Sequence, residues 1–282
     1  MRPEVNGAEL GFRSELIFHR FDGEVIDLRA RHGCLLIRTP SNPTFFWGNY
    51  LLFDRAPVAG DERRWPALFE ELIERDQPAS THRAYGWMQD AAGEVDAFLA
   101  DGCTRNDATV LHAVGLQPGP APGIAARLRP FTGESDWAMQ LDDDVAFRDS
   151  AHEEAHYRAF CERRNARWRA LIATGQGQWF GAFIADGGRE RLVASLGVFA
   201  EAQPEKGERL ARFQNVLTHP DFRRQGLCRA LLAFAADYAQ RRLRAARLVI
   251  VAAANEMPER LYRSVGFEPA GRQRGLQRMP PR

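Results

Sequence analysis

The sequence lacks the long apolar runs of a membrane protein or a secretory precursor. No window among its 282 residues approaches the ~18 uninterrupted apolar residues that a spanning helix requires. The opening stretch MRPEVNGAELGF has neither an apolar core of signal-peptide length nor a small-residue cleavage site. These absences predict a cytoplasmic protein that makes no membrane contact.

Cysteine is also scarce, and an excess of one charge sign is missing. The four cysteines are far apart and form no C-x-x-C pair, which argues against a disulfide framework and a cysteine-based zinc knot. Basic residues number 38 against 37 acidic ones, for a formal net charge of +1. A balance this even gives no overall attraction to nucleic acid, so we expect no nucleic-acid partner.

The sequence does contain enough apolar material for a real core. Apolar residues make up 45% and charged residues 27%, as is typical of soluble globular proteins of one large or two ordinary domains. The clearest break is LQPGPAPGIAA (116–126), because its prolines and glycines can continue neither a helix nor a central strand. We therefore predict an N-terminal domain over 1–117, a linker over 118–125 and a second domain over 126–282.

Hydrophobic periodicity predicts a mixed α/β domain in the second half. Apolar residues at helical spacing predict one long helix or two joined helices over 151–173, and two β-rich runs around DGG predict a hairpin. The remaining elements are predicted in this order: a strand over 212–219, a helix over 226–240, a buried strand over 248–254, a short helix over 258–264 and a final strand from Gly266.

The first half repeats part of this order more weakly. TFFWGNYLLF, HRAYGWM and ATVLHAVGLQP are strand-like, whereas RRWPALFEELIERD and GEVDAFLADG are helical. AVGLQP (113–118) and SVGFEP (264–269) each follow a short helix, which favours an internal duplication, with two unrelated α/β domains as the alternative. No glycine-rich turn follows the NYLLF strand, where PVAGDERRWP stands instead.

The stretch RFQNVLTHPDFRRQGLCRALLAFAADYA carries the chemistry: a strand ends at His219-Pro220 and a helix opens at Gly226. The first N–H groups of a helix have no intrahelical partner, and the helix dipole favours an anion beside them. Gly226 has no Cβ to block a close approach, and Cys228 is small. Positive charge around the turn comes from Arg223, Arg224 and Arg229. The pattern predicts a diphosphate-binding turn.

This run resembles motif A of the GNAT superfamily of N-acetyltransferases, R/Q-x-x-G-x-G/A, here Arg223-Arg224-Gln225-Gly226-Leu227-Cys228. The next landmark is similar too, because a buried strand is followed by Asn255 and then by LYRSVGF. The resemblance covers about 125–275, with the specific motifs between 212 and 267. It implies an α/β fold of tandem GNAT-like domains, each a mixed twisted sheet flanked by helices, in which the first domain has lost the diphosphate turn.

The resemblance also implies roles for individual residues. Backbone groups of Val216, Leu217 and Thr218 would meet the pantetheine arm of acetyl-CoA, and Asn255 would contact the same arm. Amides from Arg224 to Arg229 would hold the pyrophosphate. Tyr262 would protonate the departing thiolate, a role that suits a phenol because its proton stays on at neutral pH. No resident metal is implied.

The sequence departs from the family pattern at two points. Cys228 stands where the family has Gly or Ala, and this side chain would crowd the pyrophosphate slightly. The strand RFQNVLTH offers no Asp or Glu as a general base. His219, a water held by Gln214 or a residue outside the motif would have to serve. The missing carboxylate keeps a second hypothesis open, a non-catalytic acyl-CoA-binding sensor.

A third hypothesis comes from HEEAH (152–156), which matches the H-E-x-x-H pattern of zinc hydrolases. On one helix, His152 and His156 would share a metal, and Glu153 would activate its bound water. No G-x-x-H follows, and we interpret the motif as a charged helix face. The favoured hypothesis is an acetyltransferase in which a primary amine attacks the thioester directly. We expect the acceptor that carries this amine to be a small molecule or a peptide. We expect a monomer or homodimer.

Overall fold

The computed structural model describes residues 6–117, 119–149, 153–204, 208–253 and 257–280. The chain divides into two compact units, each assembled from separated segments. The first unit comprises the described parts of 1–111, 251–259 and 269–282, and the second comprises those of 112–250 and 260–268. The continuous domains over 1–117 and 126–282 remain a prediction. Within the described ranges, no helix is both long enough and apolar enough to span a membrane.

The secondary structure of the described residues alternates helices and strands along both units. The helices are α1 (Gly7–Asp22), α2 (Arg29–His32), α3 (Asp61–Phe69), α4 (Asp96–Ala100), α5 (Glu134–Ala146), α6 (Glu154–Ala173), α7 (Leu227–Arg241) and α8 (Met257–Ser264). The strands are β1 (Glu24–Asp27), β2 (Cys34–Arg38), β3 (Tyr50–Phe53), β4 (Arg83–Trp87), β5 (Thr104–Arg105), β6 (Ala108–Ala113), β7 (Arg127–Pro130), β8 (Gly177–Asp186), β9 (Arg189–Ala200), β10 (Leu210–Thr218), β11 (Arg247–Ala253) and β12 (Glu268–Arg278).

The sheet of the first unit combines antiparallel hairpins with one parallel pair. Strand β1 pairs with β2 and β2 with β3, both antiparallel, and β3 then pairs with β4 in parallel. Helix α3 makes the crossover between β3 and β4, as a parallel connection requires. The far side of β4 pairs antiparallel with β12, so the last described strand joins this first sheet, where it also pairs with β5.

Both faces of this sheet are buried, which explains why YLLF is an uninterrupted apolar run. Leu51 and Phe53 point into one core, where the Phe53 ring stacks on Trp65 of α3 with centroids 3.8 Å apart. Tyr50 and Leu52 point into the other core, which α1 covers with Phe12. Because side chains alternate along β3, its four residues contribute two side chains to each core.

The sheet of the second unit repeats this order. Strands β7, β8, β9 and β10 pair antiparallel in sequence, and β10 then pairs in parallel with β11 through the crossover helix α7. The predicted hairpin is confirmed, with Gly187 and Gly188 at positive φ in its turn. The repeated pattern of antiparallel strands followed by a strand–helix–strand crossover confirms the predicted mixed α/β fold in both halves.

In the second unit, helices α5 and α6 differ from the sequence prediction. The helix predicted over 151–173 begins at Glu154, and a separate helix, α5, precedes it. Helix α5 escaped prediction because its buried face is polar: Asp136, Gln140 and Asp144 are each at most 5% exposed. A helix with such a face carries no apolar stripe for periodicity to detect. This polar face packs against strand β10, where Asp144 accepts a hydrogen bond from Asn215.

Candidate functional site

Strand β10 carries a one-residue bulge in its centre. Gln214 pairs with Gly197 of β9 and Leu217 pairs with Ser195, so two residues of β10 oppose one residue of β9. Asn215 lies in the bulge at φ 49°, a left-handed conformation in which Asn is among the better tolerated residues. A bulge turns backbone groups out of the ladder, which makes them available to a ligand.

Beyond the bulge, β10 parts from β11. Their parallel register runs from Leu210 to Arg212, and no strand pairing joins them beyond it within the described residues. The first half of β10 is buried, whereas the side chains from Gln214 to His219 are half-buried. On the side of β11, the edge that includes Val216, Leu217 and Thr218 therefore has no strand partner among the described residues. An extended ligand would find backbone donors and acceptors there.

The strand leads into the predicted anion-binding turn. Arg224 has φ 62°, and Gly226, at φ 78°, is the N-cap residue of α7. Gly226 has no side chain, so no cap side chain accepts hydrogen bonds from the N–H groups of the first turn of the helix. The N–H groups of Leu227, Cys228 and Arg229 thus remain at the helix N-terminus, where the dipole favours an anion.

Part of the predicted linker packs against this turn, within the same unit. The N–H of Gly123 donates to the carbonyl of Gln225 at 2.8 Å. A Cβ on Gly226 would lie 3.5 Å from Cα of Pro122, and a Cβ on Gly119 would lie 2.1 Å from Cδ of Arg229. Small residues in this segment therefore permit its close approach to the turn. No local pattern in the sequence indicates this contact.

The three arginines of the turn have different surroundings. Arg223 donates from Nε to the carbonyl of Thr218 at 3.3 Å, which ties the turn to the end of β10. Arg229 donates from Nη2 to the hydroxyl of Ser264 at 2.9 Å, which ties α7 to α8. Arg224 adopts a left-handed backbone conformation in the turn. Positive charge thus lies on both sides of the helix N-terminus.

Thr218, Cys228 and Tyr262 come together at the junction of β10, α7 and α8. The hydroxyl of Thr218 hydrogen-bonds to the thiol of Cys228, and burial raises the pKa of that thiol to about 12. Burial also raises the pKa of Tyr262 well above its ordinary value, with a smaller contribution from Cys228. Tyr262 is 6% exposed and contacts Phe267 edge-on. Both groups are therefore protonated at neutral pH.

Histidine 219 has a structural position that does not suit a general base. Its Nδ1 accepts from the N–H of Asp221 at 3.3 Å, which caps the 3₁₀ turn Pro220–Phe222. Its Nε2 lies 3.2 Å from the guanidinium of Arg191, and Phe147 stands against the ring at 90°. A neutral imidazole has a single acceptor nitrogen, and in this ring Nδ1 already accepts from the backbone, so no lone pair is left to take a proton from a substrate.

The polar face of α5 holds the bulge in place. Asp144 accepts from Nδ2 of Asn215 at 3.0 Å and also receives hydrogen bonds from Arg164 and Gln140. Gln140 in turn accepts from Asn165 of α6 at 2.7 Å. These hydrogen bonds hold the side chain of Asn215 in place. Their free energy offsets the cost of its left-handed backbone conformation. Sequence reasoning missed Asp144 and Asn215, because it did not predict α5.

The remaining predicted residues fall outside this geometry. Asn255 lies outside the described residues, as does His152 of the HEEAH motif. Helix α6 begins only at Glu154, and Glu153 is its N-cap, accepting from the N–H groups of Ala155 and His156 at 3.0 and 2.9 Å. These hydrogen bonds lower the pKa of Glu153. In the described part of the chain, no group of three His, Cys, Asp or Glu residues is placed to hold a metal.

The corresponding helix start in the first unit is filled by carboxylates. Gly60 caps α3 at φ 95°, as Gly226 caps α7. Its N–H, however, donates to Glu62 at 2.7 Å, and the N–H of Val58 donates to the buried Asp61 at 3.0 Å. Arg55 forms a bidentate pair with Asp61. The anionic charge that a diphosphate would supply is therefore supplied by the chain itself.

Comparison with known proteins agrees with this geometry. Residues 178–269 match a family model described as an acetyltransferase (GNAT) domain. A GCN5-related N-acetyltransferase from Kribbella flavida has a TM-score of 0.57 at 13% identity, with 96% of this chain and 95% of that chain covered. A conserved protein of unknown function from Staphylococcus epidermidis has a TM-score of 0.63 at 10% identity, covering 93% and 96%.

A tandem GNAT protein from the clavulanic acid biosynthesis pathway is also similar, with a TM-score of 0.50 at 14% identity and 82% and 78% covered. No curated protein matches this chain in sequence. The second unit thus carries a GNAT domain, and the whole chain has the fold of tandem GNAT proteins. The class that the matched domain supports is an acyltransferase.

Proposed function

We propose that the chain transfers an acetyl group from acetyl-CoA to a primary amine by direct attack. The observation that carries this proposal is the continuous path from the free edge of β10 to the N-terminus of α7. The path offers backbone groups to an extended arm at one end and unpaired amides to a diphosphate at the other. A thioester of coenzyme A has both parts, so acetyl-CoA fits as the co-substrate.

In this proposal each predicted residue has one task. Backbone groups of Val216, Leu217 and Thr218 hydrogen-bond to the pantetheine arm. Asn255 is proposed to contact the same arm. The pyrophosphate is held by the amides and charges of Arg223, Arg224, Gln225, Gly226, Leu227, Cys228 and Arg229. No metal takes part, because amine attack on a thioester requires only a deprotonated nucleophile and a stabilised oxyanion.

The transfer itself needs few groups. The amine nitrogen attacks the thioester carbonyl, the new C–N bond forms, and a backbone N–H of the β10 bulge stabilises the oxyanion. The C–S bond then breaks, and the thiolate takes the proton of Tyr262. Tyr262 regains a proton from the nitrogen, which loses its positive charge as the amide forms. Tyr262 can serve because its phenol is protonated at neutral pH and lies beside Cys228 at the end of the proposed thioester path.

An acyl-enzyme on Cys228 is not part of this mechanism. Its thiol has a pKa raised to about 12, and thiolate, the reactive form, is therefore scarce at neutral pH. We predict that Cys228→Ala keeps turnover within about threefold of the wild type and that no acetylated protein accumulates without acceptor. Intact-protein mass spectrometry checks this, with Cys103→Ala in the first unit as the control. Loss of turnover in Cys228→Ala alone would favour a covalent route.

The acceptor is proposed to be the primary amine of a small molecule or a peptide, with no nucleic-acid or membrane partner and a monomeric or homodimeric assembly. A cytoplasmic location is proposed as well, in line with four cysteines that are all free. The direct test incubates the protein and acetyl-CoA with spermidine, an amino-acid amide, an aminoglycoside and a lysine-bearing peptide. We expect an N-acetyl amide of at least one amine. Tight acetyl-CoA binding without any product would instead indicate the acyl-CoA sensor.

A further inference from the structure

The mechanism above lacks a group that removes the proton from the acceptor's ammonium. An amine with an ordinary pKa is mostly protonated at neutral pH and cannot attack until it loses that proton. Strand β10 carries no carboxylate, and both nitrogens of His219 are engaged. The base must therefore come from an element that packs beside β10.

Helix α5 is such an element, and its successive residues lie over different parts of β10. Asp144 reaches the bulge through Asn215, and the ring of Phe147 lies against His219 with centroids 5.0 Å apart. Asp143 lies one turn before Phe147, whose N–H donates to the carbonyl of Asp143 at 3.0 Å. Because residues four apart share a helix face and the charges of His219 and Arg191 act on this carboxylate, Asp143 lies near the His219 end of β10, next to the segment where the thioester is proposed to bind.

The three consecutive aspartates of α5 are in different situations. Asp142 is 70% exposed and pairs with Arg158, and Asp144 is buried and held by Arg164 and Asn215. Asp143 alone has a carboxylate oxygen, Oδ2, that is buried and has no hydrogen-bond partner in the described structure. A buried carboxylate oxygen without a partner is costly, and such groups are characteristic of functional sites.

We propose that Asp143 is the general base that takes the proton from the acceptor's ammonium. This inference rests on the proposed acetyl transfer. The carboxylate accepts one proton from R–NH₃⁺, directly or through one water, and later releases it to solvent. The neutral amine then forms the C–N bond, and the thiolate receives its own proton from Tyr262, so that the reaction yields the amide, free CoA thiol and one proton.

The surroundings of Asp143 suit this task. Burial is the main cause that raises its pKa to about 6; the charges of His219 at the end of β10 and of Arg191 of β9 oppose this rise, and the like charges of Asp144 and Asp142 add to it. A base of this strength is ionised at neutral pH and still accepts a proton more readily than an ordinary aspartate.

The first test compares Asp143→Asn with the wild type and with Asp142→Asn, the matched control on the same helix. With the best amine of the panel, we expect kcat/KM of the wild type to fall below a pH of about 6. Asp143→Asn lowers kcat roughly 100- to 1000-fold and removes this inflection, whereas acetyl-CoA affinity stays unchanged. A wild-type rate and pH profile in Asp143→Asn would overturn the role of Asp143 and leave acetyl transfer standing.

A second measurement needs no acceptor. A raised carboxyl pKa stabilises the protonated folded form, so this contribution is full below about pH 4 and is lost as pH rises through about 6. Asp143→Asn, which is never charged, should therefore melt at a higher temperature than the wild type above pH 7 and at a similar temperature near pH 4. A less stable variant at pH 7 would make Asp143 a structural residue. A wild type that acetylates no amine overturns the proposed function itself.

Discussion

Replacing Tyr262 with phenylalanine lowers kcat by roughly 100- to 1000-fold and leaves the affinity for acetyl-CoA unchanged. The change removes only the hydroxyl, so the ring keeps its contact with Phe267 and its buried place beside Cys228. General acid catalysis contributes on the order of 100- to 10,000-fold, and the thiolate can still take a proton slowly from water. The measurement is steady-state release of CoA thiol, with calorimetry for binding.

Tyr238→Phe is the matched control for this experiment. Tyr238 belongs to the same unit and packs edge-on against Phe180, away from the junction of β10, α7 and α8. Its variant should retain full turnover. Unchanged turnover in both variants would show that Tyr262 is not the acid, and a similar loss in both would point to a general effect on folding.

Replacing Gly226 with valine abolishes measurable binding of acetyl-CoA. Gly226 caps α7 at φ 78°, a conformation that costs other L-residues ~1–2 kcal/mol and β-branched ones more. A side chain would also stand at the N–H groups proposed to hold the diphosphate, where each charged hydrogen bond contributes about 1.5–3 kcal/mol. The backbone cost lowers stability, whereas the loss of two such hydrogen bonds raises Kd by at least about 100-fold, since each 1.4 kcal/mol is tenfold.

The first unit offers a control of equal backbone strain. Gly60 caps α3 at φ 95°, and a Cβ there would meet nothing within 4 Å. Gly60→Val should lower the melting temperature by a comparable amount without changing the affinity for acetyl-CoA. If Gly226→Val binds as the wild type does, the diphosphate is not held at this turn. Loss of acetyl-CoA binding in both variants would show that reduced stability, and not the diphosphate turn, causes the loss.

The strand–turn–helix at the centre of the site could be predicted because local rules determine it. Pro220 ends the strand, Gly226 permits the left-handed cap, and an apolar stripe marks the helix that follows. The structure places that helix at Leu227–Arg241, against a predicted range of 226–240. The buried strand predicted over 248–254 is likewise found at Arg247–Ala253. Short-range chemistry of this kind leaves a direct trace in the sequence.

The acceptor side of the site could not be predicted in the same way. Helix α5 buries Asp136, Gln140 and Asp144, so its sequence resembles a surface segment. Its contact with β10 joins Asp144 to Asn215, residues far apart in the chain. Polar pairing between distant residues has no periodicity, and a single sequence does not reveal it. The proposed base, Asp143, belongs to this helix, so the sequence of the strand alone does not reveal it.

The same limitation applies to the pairing of the last strand. A strand from Gly266 onward was predicted, and β12 confirms it at Glu268–Arg278. Its partner is β4 of the first unit, with Leu276 opposite Tyr85, which no local pattern indicates.

The loss of the diphosphate turn in the first half was visible as PVAGDERRWP. Its physical consequence, the filling of the helix start by Asp61 and Glu62, required the structure.

The measurement that tests the central claim most directly is a calorimetric titration of the intact protein with acetyl-CoA. The free edge of β10 and the open start of α7 predict a dissociation constant on the order of micromolar, with about one molecule bound per chain. The single site follows because carboxylates fill the equivalent helix start of the first unit. Absence of binding, or about two molecules bound per chain, would contradict this account.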